Sequence, residues 1–180
     1  MYLEIQIKKV TRVLTSTYDL LRHPELAASR AQKTITHSGK KMKYWNSLEE
    51  TIFFNKVFSY PVEIGKIYIH SLTIENDRPD VGIGFDIPEF PDRLPEKWKN
   101  KGYNTCRIGL SCLGVSDLRI VNLPRREVFI ANIKQEHEGF LFTAKSKEAS
   151  IEFRVKWLSL DGPSVYINCP DPDDHDWENL

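Results

Sequence analysis

The residue types that most often perform catalysis or bind metals are present in this sequence, but their spacing fits no known kind of site. Nucleophile motifs such as Gly-x-Ser-x-Gly, metal motifs such as His-Glu-x-x-His and phosphate loops ending in Gly-Lys-Ser are missing. The five histidines lack a cysteine or carboxylate partner at a ligand spacing: His23, His37, His70, His137 and His175. We therefore expect a protein that is not an enzyme and that needs neither a metal nor a cofactor.

The three cysteines, Cys106, Cys112 and Cys169, form no Cys-x-x-Cys pair, so neither a disulfide framework nor a four-ligand zinc site is predicted. Cys106 and Cys112 fall on one face of a predicted strand about 20 Å apart, far beyond the reach of a disulfide. We expect both to be small core residues.

Length and composition are typical of one soluble globular domain. The 180 residues include 25 basic and 25 acidic side chains, and 41% of the chain is apolar. No apolar run approaches the ~20 residues that a membrane span needs, and the N-terminus lacks the pattern of a secretory signal. We expect a cytoplasmic protein that contacts no membrane.

Charge and aromatic content divide the chain near Lys41. Residues 1–41 hold 8 basic and 3 acidic side chains, and their 2 aromatic residues are too few to recognise single-stranded nucleic acid by stacking. The run from Ser38 to Met42 requires purine-rich codons, as a ribosome-binding site does, and one interpretation makes Met42 the native start. The other keeps residues 1–41 as a native basic leader with a helix around residues 24–32. The expected division is leader 1–41, domain 42–170 and tail 171–180.

A capping box and helical spacing predict one helix after Met42. Ser47 is followed three residues later by Glu50, so each side chain can accept a hydrogen bond from the other residue's backbone N–H. We expect about three turns that end near Tyr60, because Pro61 disfavours helical geometry at the residue before it. The apolar residues at helical spacing are Trp45, Leu48, Ile52 and Phe53.

Beyond this helix the apolar residues alternate with polar residues or glycines, which predicts strands with one buried face. His70 is expected to share a strand face with Tyr68, Leu72 and Ile74, which favours a hydrogen-bonded sheet histidine over a catalytic one. Further strands are predicted over residues 66–75, 118–123, 127–135, 139–145 and 164–169. The alternating sets are Val81, Ile83, Phe85 and Ile87; Cys106, Ile108, Leu110 and Cys112; and Ile151, Phe153, Val155 and Trp157.

The predicted fold is mainly β. About eight short strands follow one another without the helices that a parallel sheet would require. We therefore expect an antiparallel β-sandwich or a strongly curved meander, with the N-terminal helix capping one end or face.

A proline-rich connection between two predicted strands carries a family resemblance. Its prolines fix the backbone and Trp98 supplies an apolar anchor, so we expect an ordered loop. The segment resembles immunity protein family 50 of bacterial polymorphic toxin systems, and the likeness extends over about residues 42–168. The matching residues are Phe85-Asp86-Ile87-Pro88-Glu89-Phe90-Pro91-Asp92, Pro95, Lys97-Trp98 and Gly102-Tyr103-Asn104-Thr105, with Ile69-His70-Ser71-Leu72 upstream.

This resemblance implies a cytoplasmic protein that binds the toxin domain of a sibling or rival cell in bacterial competition and protects its producer. It implies a protein–protein interaction without catalysis. Gly82 and Gly84 stand where relatives often carry basic residues, and Leu94 replaces a common proline. If these positions touch the toxin, the partner here differs from that of the relatives. On the outward face, Gly82 and Gly84 are expected to leave a flat surface for close backbone approach.

The proline loop has two interpretations. As structure, it closes an edge of the sheet, in a motif of Phe85, Pro88, Pro91, Pro95, Asn104 and Thr105 together with His70. As function, it offers an acidic ridge to a basic partner, made of Asp86, Glu89, Asp92 and Glu96, with Phe90 and Trp98 as aromatic contacts.

The acidic C-terminus also has two interpretations. A run of like charges is typical of a solvated tail. As a docking element, a mobile acidic segment would speed the encounter with a basic toxin, a nuclease being one candidate. Its proposed contacts are Asp173, Asp174, Asp176 and Trp177. The alternative function is a small-ligand or carbohydrate-binding β module that uses exposed Phe90, Trp98 or Trp177 as a platform.

Overall fold

The computed structural model describes residues 39–124 and 127–168. The acidic tail, Cys169 and the leader up to Ser38 lie outside the described residues. Within the described ranges, no helix is long and apolar enough to span a membrane.

The described residues form a single antiparallel sheet of nine strands with one α-helix beside it. The strands pair in the order β5-β8-β7-β6-β2-β3-β4-β9, and β1 pairs with β6. The bounds are β1 Lys40–Lys41, α1 Ile52–Val57, β2 Lys66–Glu75, β3 Asp80–Ile87, β4 Thr105–Leu113, β5 Ser116–Val121, β6 Val128–Glu136, β7 Gly139–Lys145, β8 Ser150–Val155 and β9 Trp157–Tyr166, with 3-10 turns at Trp45–Ser47 and Glu96–Trp98.

The sheet is strongly curved, as predicted. In a flat sheet, β4 and β5 would lie about 29 Å apart, because six strand spacings separate them along the pairing order. Only Gly114 and Val115 join the two strands, and this link spans at most about 11 Å. The sheet must therefore curl back on itself. The pairing Leu113↔Trp157 continues as Ser116↔Arg154, so β4–β5 and β8–β9 form one long bent pair.

The curled sheet encloses one hydrophobic core. Its centre contains Phe142 stacked on Phe153 with ring centroids 5.0 Å apart, and Trp45 lies 5.1 Å from Phe85. All four side chains are fully buried. The alternating sets of β3 and β4 point into this core as predicted, including Cys106 and Cys112, whose burial raises both thiol pKa values to about 12.

The prediction that Trp157 continues the buried face of β8 is wrong. Trp157 is 55% exposed, while Leu158 and Leu160 are buried. Lys156 interrupts the strand between β8 and β9, and the alternation resumes one residue out of phase. Of the predicted strand at 164–169, residues 164–166 form the end of this longer β9.

The helix is shorter than predicted. It covers six residues, Ile52–Val57, and ends three residues before the expected Tyr60. The capping box does not form, because Ser47 belongs to a 3-10 turn and Glu50 has a φ of 60°. Thr51 stands before the helix instead, and its hydroxyl donates to the Leu48 carbonyl at 3.3 Å. Phe54 and Val57 are buried, so the helix still covers one end of the core.

The sheet includes residues on both sides of Met42. Lys40 and Lys41 pair with Gln135 and Lys134 of β6, and the Met42 backbone N–H donates to Ile133 at 2.8 Å. A native start at Met42 stays a prediction.

Candidate partner-binding face

The outward side of β2, β3, β4 and β9, here called the outer face, is mostly polar, and its centre contains glycines. Residues paired across an antiparallel sheet point to the same side. The alternation that buries Phe85 and Ile108 therefore turns glycines and small polar side chains outward. The outer face comprises Tyr68, His70, Ser71, Thr73 and Glu75 of β2; Asp80, Gly82, Gly84 and Asp86 of β3; Thr105, Arg107, Gly109, Ser111 and Leu113 of β4; and Trp157, Ser159, Asp161, Ser164 and Tyr166 of β9.

The middle of the outer face is a pair of glycines. Gly84 and Gly109 are direct partners across β3 and β4. A methyl group on Gly84 would lie 2.5 Å from the His70 ring, and one on Gly109 would lie 3.0 Å from Asp161 Cβ. The side chains of His70 and Asp161 therefore lie close to the backbone of Gly84 and Gly109. The predicted open surface is confirmed at Gly82, where a methyl group would meet only Thr73 at 3.7 Å, and is wrong at Gly84.

At one end of this face, a buried carboxylate joins three strands. Asp86 is 1% exposed and accepts hydrogen bonds from Arg107 Nε at 2.9 Å and Nη2 at 3.3 Å. The Tyr166 hydroxyl donates to Asp86 at 2.7 Å and accepts from Arg107 Nη2 at 3.0 Å. The guanidinium carbon lies 4.3 Å from the centre of the Tyr166 ring. These contacts fix β3, β4 and β9 relative to one another.

Burial and the Asp86 carboxylate raise the pKa of Tyr166 to about 12. Both effects disfavour a second negative charge beside Asp86. The phenol therefore stays protonated at neutral pH and keeps donating its hydrogen bond. Since Arg107 is 36% exposed at its side chain, the cluster presents a guanidinium to the surface while its carboxylate is hidden.

His70 lies at an irregularity of β2, and its predicted strand face is confirmed for Tyr68 and wrong for Leu72 and Ile74, which pair with the core residues Ile83 and Val81. A bulge between Ile69 and Ser71 changes the register, so Tyr68 pairs with Asp86 on the outer face whereas Leu72 pairs with Ile83 on the core face. The bulge places the His70 ring over Gly84.

His70 is expected to titrate below the ordinary imidazole pKa of about 6.5. Burial lowers its pKa, and nearby Arg107 lowers it further, while Asp86 opposes both. Because the unfolded chain then binds the proton more readily, protonation favours unfolding, and stability is lost as the pH falls through the folded pKa. An NMR titration of the His70 ring measures the pKa directly. Thermal unfolding should lose more stability between pH 7 and pH 5 in the wild type than in His70→Gln. A pKa at or above the ordinary value would contradict this prediction.

The proline loop is ordered and is held by the core, as predicted. Trp98 is 9% exposed and contacts Phe53 edge to face with ring centroids 5.6 Å apart. Asp92 accepts hydrogen bonds from the backbone N–H of Ser59, at 2.8 Å, and from its hydroxyl. These bonds lower the pKa of Asp92. Pro91 is buried, whereas Pro88 is exposed and Pro95 is half-buried.

The prediction of one acidic ridge along this loop is wrong. Asp86 belongs to β3, where it is enclosed by the outer-face cluster and has almost no surface to offer a partner. Asp92 is bonded to Ser59, and Glu96 pairs with Lys99 Nζ at 2.5 Å. Glu89 is half-buried, and burial raises its pKa. The four carboxylates thus have four different environments.

Two of the three rings proposed as an exposed platform pack against the core. Trp98 is buried, and Phe90 is half-buried against the core. Trp177 lies outside the described residues, as do Asp173, Asp174 and Asp176. The structure therefore gives no support to a flat aromatic platform on the loop.

Asn104 ties the loop to the end of β9. Its side-chain amide donates to the Asn168 carbonyl at 2.8 Å and its amide oxygen accepts from the Asn168 N–H at 2.7 Å. The Thr105 hydroxyl donates to the same amide oxygen at 3.1 Å. This arrangement fits the structural interpretation of both residues.

Several residues of the outer face were not predicted as site residues, among them Arg107, Tyr166, Leu113 and Trp157. Arg107 and Tyr166 lie 21 and 80 residues from Asp86 along the chain, so no local motif indicates that the three side chains form a cluster. The signal available was the polar alternation around Arg107 within the predicted strand. Within the described ranges, no group of three or more His, Cys, Asp or Glu side chains could hold a metal ion.

Comparison with protein families matches residues 50–166 to the family described as Immunity protein 50. The chain belongs to this immunity-protein family. No curated protein and no solved structure matches the sequence. The family resemblance expected from the proline loop is thereby confirmed.

The part of this Immunity protein 50 chain that matches the family contains the whole α1–β9 region. The match begins two residues before α1 and ends at Tyr166, the last residue of β9. It therefore includes the Asp86–Arg107–Tyr166 cluster and the proline loop. The basic leader and the acidic tail lie outside the match.

Proposed function

We propose that this protein binds a cognate toxin domain of a bacterial polymorphic toxin system and neutralises it by stoichiometric occlusion. The observation that carries the proposal is the match to the Immunity protein 50 family over most of the described sheet. In this proposal, the protein acts in the cytoplasm of the cell that makes the toxin. It works by covering the toxin, without turnover of a substrate, and a basic nuclease is the toxin class that the acidic tail would suit best.

A face fixed by strand pairing suits this role. The cross-strand pairs and the Asp86–Arg107–Tyr166 cluster hold the outer face in one arrangement before any partner arrives. Binding then requires little ordering of backbone, and ordering is one of the main free-energy costs of association.

The outer face is a compact surface. Four strands about 4.8 Å apart and eight residues long have a flat footprint of roughly 500 Å², whereas a stable complex buries about 800 Å² of accessible surface on each partner. We expect neighbouring segments to contribute part of the contact. Glu89, Phe90 and Glu96 of the proline loop and the tail residues Asp173, Asp174, Asp176 and Trp177 stay candidates for this contribution.

Co-expression with the neighbouring toxin gene tests the proposal. We expect growth to be rescued by the full chain and the purified pair to form a complex of one copy each. In a titration at fixed toxin concentration, toxin activity should fall linearly and vanish at an equimolar amount of this protein. Complete inactivation by a small fraction of an equivalent would show turnover and contradict occlusion, and unchanged toxin activity would reject the proposal outright.

A further inference from the structure

Two large apolar side chains of the outer face lie exposed at the bend of the sheet. Trp157 is 55% exposed and its cross-strand partner Leu113 is 47% exposed. The two strands are linked here, because the Lys156 backbone N–H donates to the Leu113 carbonyl at 3.1 Å. The Lys156 side chain also covers Gly114, where an added methyl group would lie 3.1 Å from its Cδ.

Beside this pair, the outer face contains a depression of about 300 Å³. Leu113 forms part of its wall, so the apolar pair and the depression are one continuous surface. Gly82 leaves the floor bare, since an added methyl group there would meet only Thr73. The other lining residues include Glu75, Arg78, Asp80 and Ser111.

Negative charge prevails at this depression. Among its described lining residues, Glu75 and Asp80 carry negative charge and Arg78 carries positive charge. Asp161 lies outside this lining, but its carboxylate accepts a hydrogen bond at 2.5 Å from the hydroxyl of the lining residue Ser111. A volume of about 300 Å³ is at the lower end of the range of small-molecule pockets, about 300–1,000 Å³, and has room for a long side chain.

We propose that the cognate toxin places a lysine or arginine side chain in this depression and covers Trp157 and Leu113 with apolar surface. The inference rests on the proposed function and names the contact that would supply its affinity. Charge complementarity argues for a basic partner, and tryptophan side chains that become desolvated are often the energetic centre of an interface. A second copy of this chain fits less well, because a two-fold contact would bring two surfaces of the same net negative charge together.

Affinity measurements on the full chain with a catalytically inactive toxin variant test the inference. We expect Trp157→Ala to weaken binding about 30-fold or more, and Glu75→Lys about tenfold or more. The matched controls lie on the other part of the sheet. Ile130→Ala removes a 44% exposed apolar side chain and Glu138→Lys reverses an exposed charge, and neither should change the affinity more than about twofold.

Each outcome has a distinct meaning. Absence of binding by the wild type would overturn both the proposed function and this inference. Binding by the wild type with Trp157→Ala and Glu75→Lys unaffected would overturn the inference alone. Tighter binding by Glu75→Lys would mean an acidic partner group, and a wild-type dimer that Trp157→Ala converts to monomer would mean a second copy. Either result would also overturn the inference. Unchanged thermal unfolding of the variants confirms that binding, not folding, was altered.

Discussion

Replacing Asp86 with alanine is expected to lower the free energy of unfolding by about 3 kcal/mol. The variant removes the common acceptor of Arg107 Nε, Arg107 Nη2 and the Tyr166 hydroxyl. Arg107 then has no carboxylate beside it, although its side chain is 36% exposed and water can replace part of the lost interaction. Denaturant unfolding followed by fluorescence measures the change through the transition midpoint.

Two further variants show whether the lost stability comes from the interaction between Asp86 and Arg107. Arg107→Ala leaves the enclosed Asp86 carboxylate with only the Tyr166 hydroxyl, so we expect a loss of about 3 kcal/mol or more. The double variant should lose clearly less than the sum of the two single losses, because each single change already breaks the same interaction. Additive losses would mean that the two side chains stabilise the fold independently.

Arg154→Ala is the matched control. Arg154 also contacts two carboxylates, Glu136 at 3.1 Å and Asp117 at 3.2 Å, but its side chain is 53% exposed. Exposed ion pairs contribute about 0–1 kcal/mol, so this variant should change little. Similar losses for Arg154→Ala and Asp86→Ala would contradict the view that burial gives the Asp86 cluster its importance.

The parts of the fold that follow local periodicity could be predicted from the sequence. The bounds of β2 and β7 agree with the predicted ranges, and the alternating residues of β3 and β4 are buried as expected. The buried face of a strand is indicated by apolar residues at every second position, and this alternation can be seen in any short stretch of the sequence. The proline loop could be predicted for the same reason, since its prolines and Trp98 lie close together in the sequence.

Single-residue irregularities were not predictable in the same way. Lys156 reverses the phase of β9 and exposes Trp157, and the bulge after Ile69 separates Tyr68 from Leu72. Each depends on which strand lies opposite, and this information is absent from the local pattern. Glu50 is a residue type that suits a capping box, but its left-handed backbone conformation prevents the box from forming.

Of the Asp86–Arg107–Tyr166 cluster, only Asp86 was predicted as a site residue, because it belongs to the proline-rich family motif. It was predicted to be exposed, because its partners could not be known from the local sequence. Arg107 reaches it from the next strand and Tyr166 from the one beyond, so the cluster exists only after the strands have paired. A carboxylate that looks like part of an acidic surface is thereby converted into an internal link between strands.

Replacing Gly139 with alanine is expected to lower the free energy of unfolding by about 3 kcal/mol or more and the melting temperature by about 10 °C. Gly139 begins β7 with a φ of 117°, a conformation that costs little only for glycine. A methyl group there would also overlap the Val155 carbonyl oxygen and lie 3.0 Å from Lys156 Cα. Denaturant and thermal unfolding measure both changes.

The size of this loss should depend on what surrounds each glycine, which a graded series can show. Gly65→Ala is the control, because an added methyl group there would meet no atom within 4 Å, and we expect a change within about 0.5 kcal/mol. Gly84→Ala should fall between the two, since the atoms that it meets belong to the His70 and Ser71 side chains, which can rotate away. At Gly139 the opposing atoms are backbone of Val155, the last residue of β8, and of Lys156, which follows it. Val155 pairs with Phe140 of β7, so relief requires the sheet itself to move. Equal losses at Gly139 and Gly65 would mean that β7 and β8 do not approach each other as described.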